Sequence, residues 1–219
     1  MGVVARKVWG VDSTNTVNRD LYECVKNNFG LPKFWGRYLT ERPNASSGLS
    51  KFEINYIHSK GMKVLPIYNV ISEAVGYDEG RIAARNAVFH ARRLNIPPNI
   101  VLFANIGKIF NVDANWIKAW VETILPTGYR PGLYHDPIEG QFAAAYCEAV
   151  KQNNEVALQS ILWSTQPEPG VTSERKAPRF NPDMPKCKGN VWIWQYGRDA
   201  VKCPIDTNLA DERLLAYLY

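Results

Sequence analysis

The sequence predicts one α/β domain spanning residues 1–219, a closed (β/α)8 barrel of the TIM type lacking one or two outer helices near its C-terminus. Short β-rich runs alternate with helical periodicity, the pattern of βαβ units. There are eight such runs, short and, through the first 165 residues, evenly spaced, which suits a closed barrel better than an open doubly wound sheet. An open sheet would also carry a glycine-rich phosphate turn after its first strand, and Asp12-Ser-Thr-Asn-Thr16 does not supply one. The length of 219 residues matches the roughly 200–250 that barrels use as a single unit.

Lys7–Asp12 is the first strand, and the helix after it places Val17, Leu21, Cys24, Val25 and Asn28 on one face before Gly30 and Pro32 stop it. Phe34–Leu39 is the second strand, followed by a polar turn region and a helix over 50–60 with Gly61 at its stop position. Met62–Asn69 is the third strand. A long helix over 78–94 has Ala84, Ala87, Val88 and Ala91 at helical spacing and ends before Pro97 and Pro98. Ile100–Asn105 follows. Asp113 caps a helix whose apolar face is Ile117, Trp120, Val121, Ile124 and Leu125, the cleanest periodicity in the chain. Arg130–Tyr134, a helix striped with Phe142, Ala145, Tyr146, Ala149 and Val150, and the strand Leu158–Trp163 complete the regular part. From Thr165 to Lys188 the pattern fails among Pro167, Pro169, Pro178, Pro182 and Pro185, which reads as a long surface loop, a feature more often functional than decorative. Strands over 190–196 and 200–206 and a last amphipathic helix over 209–219 close the chain.

Composition narrows the function classes. The chain is 46% hydrophobic and 21% charged with a net charge of +5, a globular composition without the basic helix or face of a nucleic-acid binder. No window reaches the roughly 18 apolar residues of a membrane span. The N-terminus carries Arg6 and Lys7 where a secretory signal needs its apolar core, and no small-residue cleavage site follows. Cytoplasmic residence is therefore the default expectation, with envelope, spore or phage association by another route as the alternative. Cys24 and Cys147 lie in helical apolar stripes, where free thiols act as small hydrophobes. Cys187 and Cys203 flank a strand and could meet at its base. Four cysteines in a chain of this size do not make a disulfide scaffold, so reduced thiols are expected. The three histidines show no metal-ligand spacing, and no cofactor is implied.

In a barrel the site gathers at the C-terminal strand ends. These supply Asp12, Arg37 with Tyr38, Tyr68 with Asn69, Asn105, Tyr134 with His135 and Asp136, Trp163, Gln195 with Tyr196, and Asp206 with Asn208. Acids, amides and aromatic faces are a sugar-binding inventory. Individually each is also a common turn former or cap.

Val8-Trp-Gly-Val-Asp12, Gly36-Arg-Tyr38, Val64-Leu-Pro-Ile-Tyr68, Gly132-Leu-Tyr134 and Trp192-Ile-Trp-Gln-Tyr196 leading to Ile205-Asp-Thr-Asn208 resemble the glycoside-hydrolase-like domains related to the family 25 lysozymes. The resemblance runs from about Val8 to Leu215. It implies a barrel with a groove for a carbohydrate polymer of the peptidoglycan type, and Asp12 and Asp206 match two active-site aspartates of the lysozymes. Arg37, Tyr68, Asn105, Tyr134, Asp136, Trp163, Gln195, Tyr196 and Asn208 are the expected substrate-binding residues. At the end of the fourth strand the lysozymes carry Asp-x-Glu, but this chain has Asn105-Ile-Gly107. Neither an amide nor glycine can protonate a leaving oxygen. Asp136, Glu73 and Glu41 are the candidate replacement acids, each also readable as a solvated loop charge. Two readings stand open: a glycosidase built on Asp12 and Asp206, or a catalytically impaired barrel that binds or targets glycan. In a third, the 165–188 loop binds a protein or anionic polymer. Oligomeric state is not legible.

Overall fold

The computed structural model describes residues 6–107 and 111–219; residues 1–5, on which the export reading partly rests, lie outside them. The chain forms a closed eight-stranded barrel in sequence order: β1 (Lys7–Asp12), β2 (Phe34–Tyr38), β3 (Lys63–Tyr68), β4 (Val101–Asn105), β5 (Arg130–His135), β6 (Ile161–Thr165), β7 (Val191–Gly197) and β8 (Asp206–Asp211). Strands β1 to β7 are parallel. Strand β8 runs antiparallel to both β7 and β1.

Helices α1 (Arg19–Asn28), α2 (Lys51–Ser59), α3 (Tyr77–Arg93), α4 (Ala114–Ile124), α5 (Phe142–Gln152) and α6 (Glu155–Gln159) surround strands β1 to β6. Their starts follow local chemistry: Asn18, Ser50 and Asp113 each accept a backbone N–H of the first turn through their side chains. Among the described residues no α-helix follows β6 or β7, the shortfall near the C-terminus that the sequence predicts. The long loop takes the place of one of them. Val171, Ala177, Phe180 and Cys187 pack on the outer core. Glu174 bonds to Phe29 and Leu31, and the Asp183 carbonyl and carboxylate bond to Ser164 and Gln166. The loop is therefore a fitted cover over the barrel wall.

The last strand corrects the sequence reading. Asp206 opens β8 rather than ending a strand over 200–206, and a 3-10 segment over Glu212–Tyr217 replaces the expected helix over 209–219. The connection over 198–205 is shorter than the dozen or so residues a parallel crossover needs, so the chain returns as a hairpin. Because β8 is reversed, its first residue lies at the same mouth as the last residues of the other strands, and Asp206 pairs in register with Asp12.

Period-two alternation divides the buried residues. Val8, Phe34, Leu65, Ile67, Val101, Phe103, Ile161, Trp163, Ile193 and Ala210 fill the barrel, and Leu214 and Leu218 close its lower end. Outward residues including Trp9, Val11, Trp35, Val64, Leu102, Leu133 and Tyr196 pack against the helices. Gly10 belongs to the inner set: a Cβ there would lie 2.4 Å from the Phe34 ring, so the ring occupies the space its missing side chain leaves.

The cysteines also depart from expectation. Cys24 on α1 is bonded to Cys203, and Cys147 on α5 to Cys187; Cys187 and Cys203 do not pair with each other. Partners 179 and 40 residues apart meet only after the barrel closes, which spacing along the chain cannot reveal. One bond anchors the β7–β8 connection, the other the long loop.

Candidate active site

The mouth of the barrel is built from inward residues at the upper ends of the strands. Asp12 is 5% exposed. Its carboxylate accepts from Asn208 Nδ2 at 2.7 Å and from Gln195 Nε2 at 3.1 and 3.3 Å. The same Gln195 nitrogen donates to Asp206 Oδ2 at 3.2 Å, and the Asp199 backbone N–H donates to Asp206 Oδ1 at 2.8 Å. One amide thus bridges two carboxylates. Asn208 is fixed in turn, its Oδ1 accepting from Trp163 Nε1 at 3.0 Å. On its far side Gln195 Oε1 accepts from Tyr134 Oη and Thr165 Oγ1, each at 2.9 Å, and from Arg198 Nε at 2.8 Å.

Burial governs the electrostatics. It raises Asp12 despite the N–H bonds from Asn208 and Gln195 and the cations of Arg198 and Arg37. Burial, with the charge of Asp12, pushes Asp206 up to about 8. Both carboxyls are thus raised, and two that share one nitrogen titrate as a pair. Tyr134 is pushed up to about 12 by burial, and Tyr38 is raised by burial and by the Asp12 charge, so both phenols stay protonated. A hollow of about 100 Å³ between Asp12, Ser13, Thr14, Asp199, Pro204, Ile205 and Asp206 opens onto the pair. Beyond Thr14 a polar hollow of about 510 Å³ is lined by Asn15, Thr16, Glu41, Arg42, Asn44, Ala45, Ser46 and Ser47.

Of the residues singled out from the sequence, the structure brings Asp12, Asp206, Tyr134, Trp163, Gln195 and Asn208 into one bonded cluster. Asn105 ends β4 beside Tyr134 in register. Four others lie elsewhere. Arg37 is fully buried in an ion pair with Glu53 and also donates to the Ser13 carbonyl and to Ser47, so it ties the β1 and β2 loops together behind the mouth. Tyr68 faces outward and stacks near His90 and Trp120. Tyr196 also faces outward, its hydroxyl accepting from Trp9 Nε1 at 2.9 Å. Asp136 caps its own turn by accepting the N–H groups of Ile138 and Glu139. Its neighbour His135 is buried against Phe142 and pushed down to about 4 by burial, hence neutral.

The alternation that turns Arg37 and Tyr196 outward turns Tyr38 and Thr165 inward, a signal the sequence contains. Arg198 and Asp199 follow a strand that has already ended, and no local pattern marks them. Among the described residues no group of three or more His, Cys, Asp or Glu is placed to hold a metal ion, and no helix is long and apolar enough to cross a membrane.

Comparison with solved structures places this geometry among relatives. An uncharacterized B. stearothermophilus protein superposes with a TM-score of 0.96 at 64% identity, covering 97% of this chain and all of that one. A muramidase from Acremonium alcalophilum has a TM-score of 0.60 at 17% identity over 96% of this chain and 99% of its own. A bacterial lysozyme from Streptomyces coelicolor has a TM-score of 0.54 at 18% identity over 96% of each chain. At that identity the likeness to the last two is one of fold. No curated protein matches the chain. The model of the Rv2525c-like, glycoside hydrolase-like domain matches residues 32–199. With the eight-stranded barrel and the acid-bearing mouth in place, the chain belongs to the Rv2525c-like glycoside hydrolase-like domain family.

Proposed function

We propose that the chain is a glycosidase acting on a cell-wall polysaccharide of the peptidoglycan type, with Asp12 and Asp206 as its two carboxyl groups. The observation that carries this reading is the Asp12–Asp206 pair at the barrel mouth, bridged by one amide nitrogen. Glycoside hydrolysis ordinarily needs one carboxylic acid and one carboxylate flanking the bond, and the rise of Asp206 to about 8 keeps an acid available at neutral pH. Asp206, the less buried of the two, delivers the proton to the leaving oxygen. Asp12, fixed by Asn208 and Gln195, faces the anomeric centre as the carboxylate. Both carboxyls reach the same nitrogen, at 3.1 and 3.2 Å, which gathers them at one point of the mouth. Tyr38 and Tyr134, both partly exposed, offer ring faces or edges to sugars, while the fully buried Trp163 only holds Asn208 in place, and the polar hollow over the β1 and β2 loops accommodates the continuing chain.

Two disulfides suit an oxidising setting rather than the cytoplasm, and the presence of a muramidase and a lysozyme among the fold neighbours agrees with action at the cell wall. Incubation with purified peptidoglycan, scoring released reducing ends by mass spectrometry, tests the reading. Asp12→Asn and Asp206→Asn should each lower release by about 10²- to 10⁴-fold. Release that neither substitution lowers would refute it. The competing reading, a glycan-binding barrel, is favoured by Asn105 and Gly107 standing where the lysozymes carry Asp and Glu; retention on insoluble glycan without release would select it.

A further inference from the structure

We infer that Arg198 is a positioning residue that fixes the direction of the Gln195 amide, and through it the bridge between Asp12 and Asp206. The argument rests on donor and acceptor chemistry. Of the three groups at Gln195 Oε1, Tyr134 and Thr165 are hydroxyls, which can donate or accept and would tolerate the amide in either orientation. Arg198 Nε can only donate. Opposite it the amide must therefore present oxygen, which leaves its nitrogen for the carboxylates. The same guanidinium orients the two hydroxyls: Nη2 donates to Tyr134 Oη at 2.9 Å and to Thr165 Oγ1 at 2.6 Å. Occupying their lone pairs turns their own O–H bonds toward Gln195.

Among the described residues Arg198 makes no ion pair. Its bonds go to neutral oxygens, so its hydrogen-bonded route to the acids runs through Gln195, while its charge also lowers both carboxyls across space. Without it a flipped Gln195 would set its carbonyl oxygen against Asp12, where an ionised carboxylate finds no donor and only a protonated carboxyl can hydrogen-bond to it. The charged and titratable groups acting on the pair are Arg37 from behind β2, Tyr38 from β2, Tyr134 from β5, and Arg198 and Asp199 from the β7–β8 connection. Of these only Arg198 touches the bridging amide and is confined to donating.

The inference rests on the proposed role of the acid pair, but its test needs no turnover. In the full chain labelled with ¹⁵N and ¹³C, NMR follows the side-chain amide protons of Gln195 and the carboxyl carbons of Asp12 and Asp206 across pH 3 to 10. The wild type should show two resolved Gln195 amide protons that both shift as the pair titrates. In Arg198→Met those protons should broaden, and the lower midpoint of the pair should rise by about one pH unit or more. Arg198→Lys keeps the charge without the guanidinium fork; it should recover part of the midpoint shift and leave the amide signals broadened. Unchanged amide signals and midpoints in Arg198→Met would overturn the inference, as would full restoration of both by lysine, which would reduce Arg198 to a charge. If the methionine variant does not fold, the lysine variant decides on the same two readouts. Glycan release lost in Asp12→Asn with Gln195 unaffected by Arg198 would retain the enzyme and reject the positioning role; the converse result would do the opposite.

Discussion

The raised pKa of Asp206 makes the site a stability cost, and Asp206→Asn measures it. In the folded chain Asp206 keeps its proton up to about pH 8, against an ordinary value of 3.8. Between those values the folded state holds a proton the unfolded chain has released, so stability is full below pH 3.8 and falls as pH rises toward 8. Four pH units at about 1.4 kcal/mol each set a ceiling near 6 kcal/mol. Since part of the shift comes from Asp12, with which Asp206 titrates, about 2–4 kcal/mol is expected. Two other groups act in the opposite sense. His135, pushed down to about 4 from 6.5, makes stability rise between those values, and Asp211, held at about 2 by Arg213, does so below 3.8. The window from pH 6.5 to 8 is free of both, and both cancel in a difference between variants. Urea unfolding at half-unit steps from pH 4 to 9 should show the wild type losing about 1–2 kcal/mol between pH 6.5 and 8. Asp206→Asn should lack that fall and be the more stable protein at pH 8, as expected where a functional site stores an unfavourable charge. Parallel curves across that window would mean that Asp206 is an ordinary solvated carboxylate and that the pair holds no proton for catalysis.

Three further outcomes follow from the geometry. Arg37→Met strands the buried Glu53 carboxylate and should cost about 3–5 kcal/mol in denaturant unfolding; the double change Arg37→Met with Glu53→Leu should recover most of it, and no recovery would show that the loop contacts of Arg37 dominate. Replacing Cys24 and Cys203 by Ser should cost about 2–5 kcal/mol, more than replacing Cys147 and Cys187, because the first pair closes the longer stretch of chain; thermal unfolding ranks the two. A Cβ at Gly36 would lie 2.6 Å from Asp12 Cβ, so Gly36→Ala should displace the carboxylate, costing about 1–3 kcal/mol and most glycan release; retained release would show that Asp12 has room to move.

The barrel was legible in the sequence, and so was the position of Asp12, Trp163 and Gln195 near strand ends. Strand–helix alternation is local, as is the capping chemistry at Asn18, Ser50 and Asp113, so both can be read without the fold. Asp12, Trp163 and Gln195 are legible because they close apolar runs that can only be strands. Which neighbour of a strand end enters the mouth is also a local matter of parity, yet it cannot be applied until the inner face is known. Arg37 and Tyr38 show this, for only their pairing with β1 and β3 sends the tyrosine inward and the arginine to Glu53. What tertiary structure alone decided depends on closure. The short return after β7 reverses β8 and sets Asp206 opposite Asp12, and the cysteines find partners across the finished barrel. Arg198, in a turn with no periodicity, meets Tyr134 and Thr165 across 64 and 33 residues. Contacts between segments so far apart leave no spacing in the chain, because their geometry comes from the packing of everything between them.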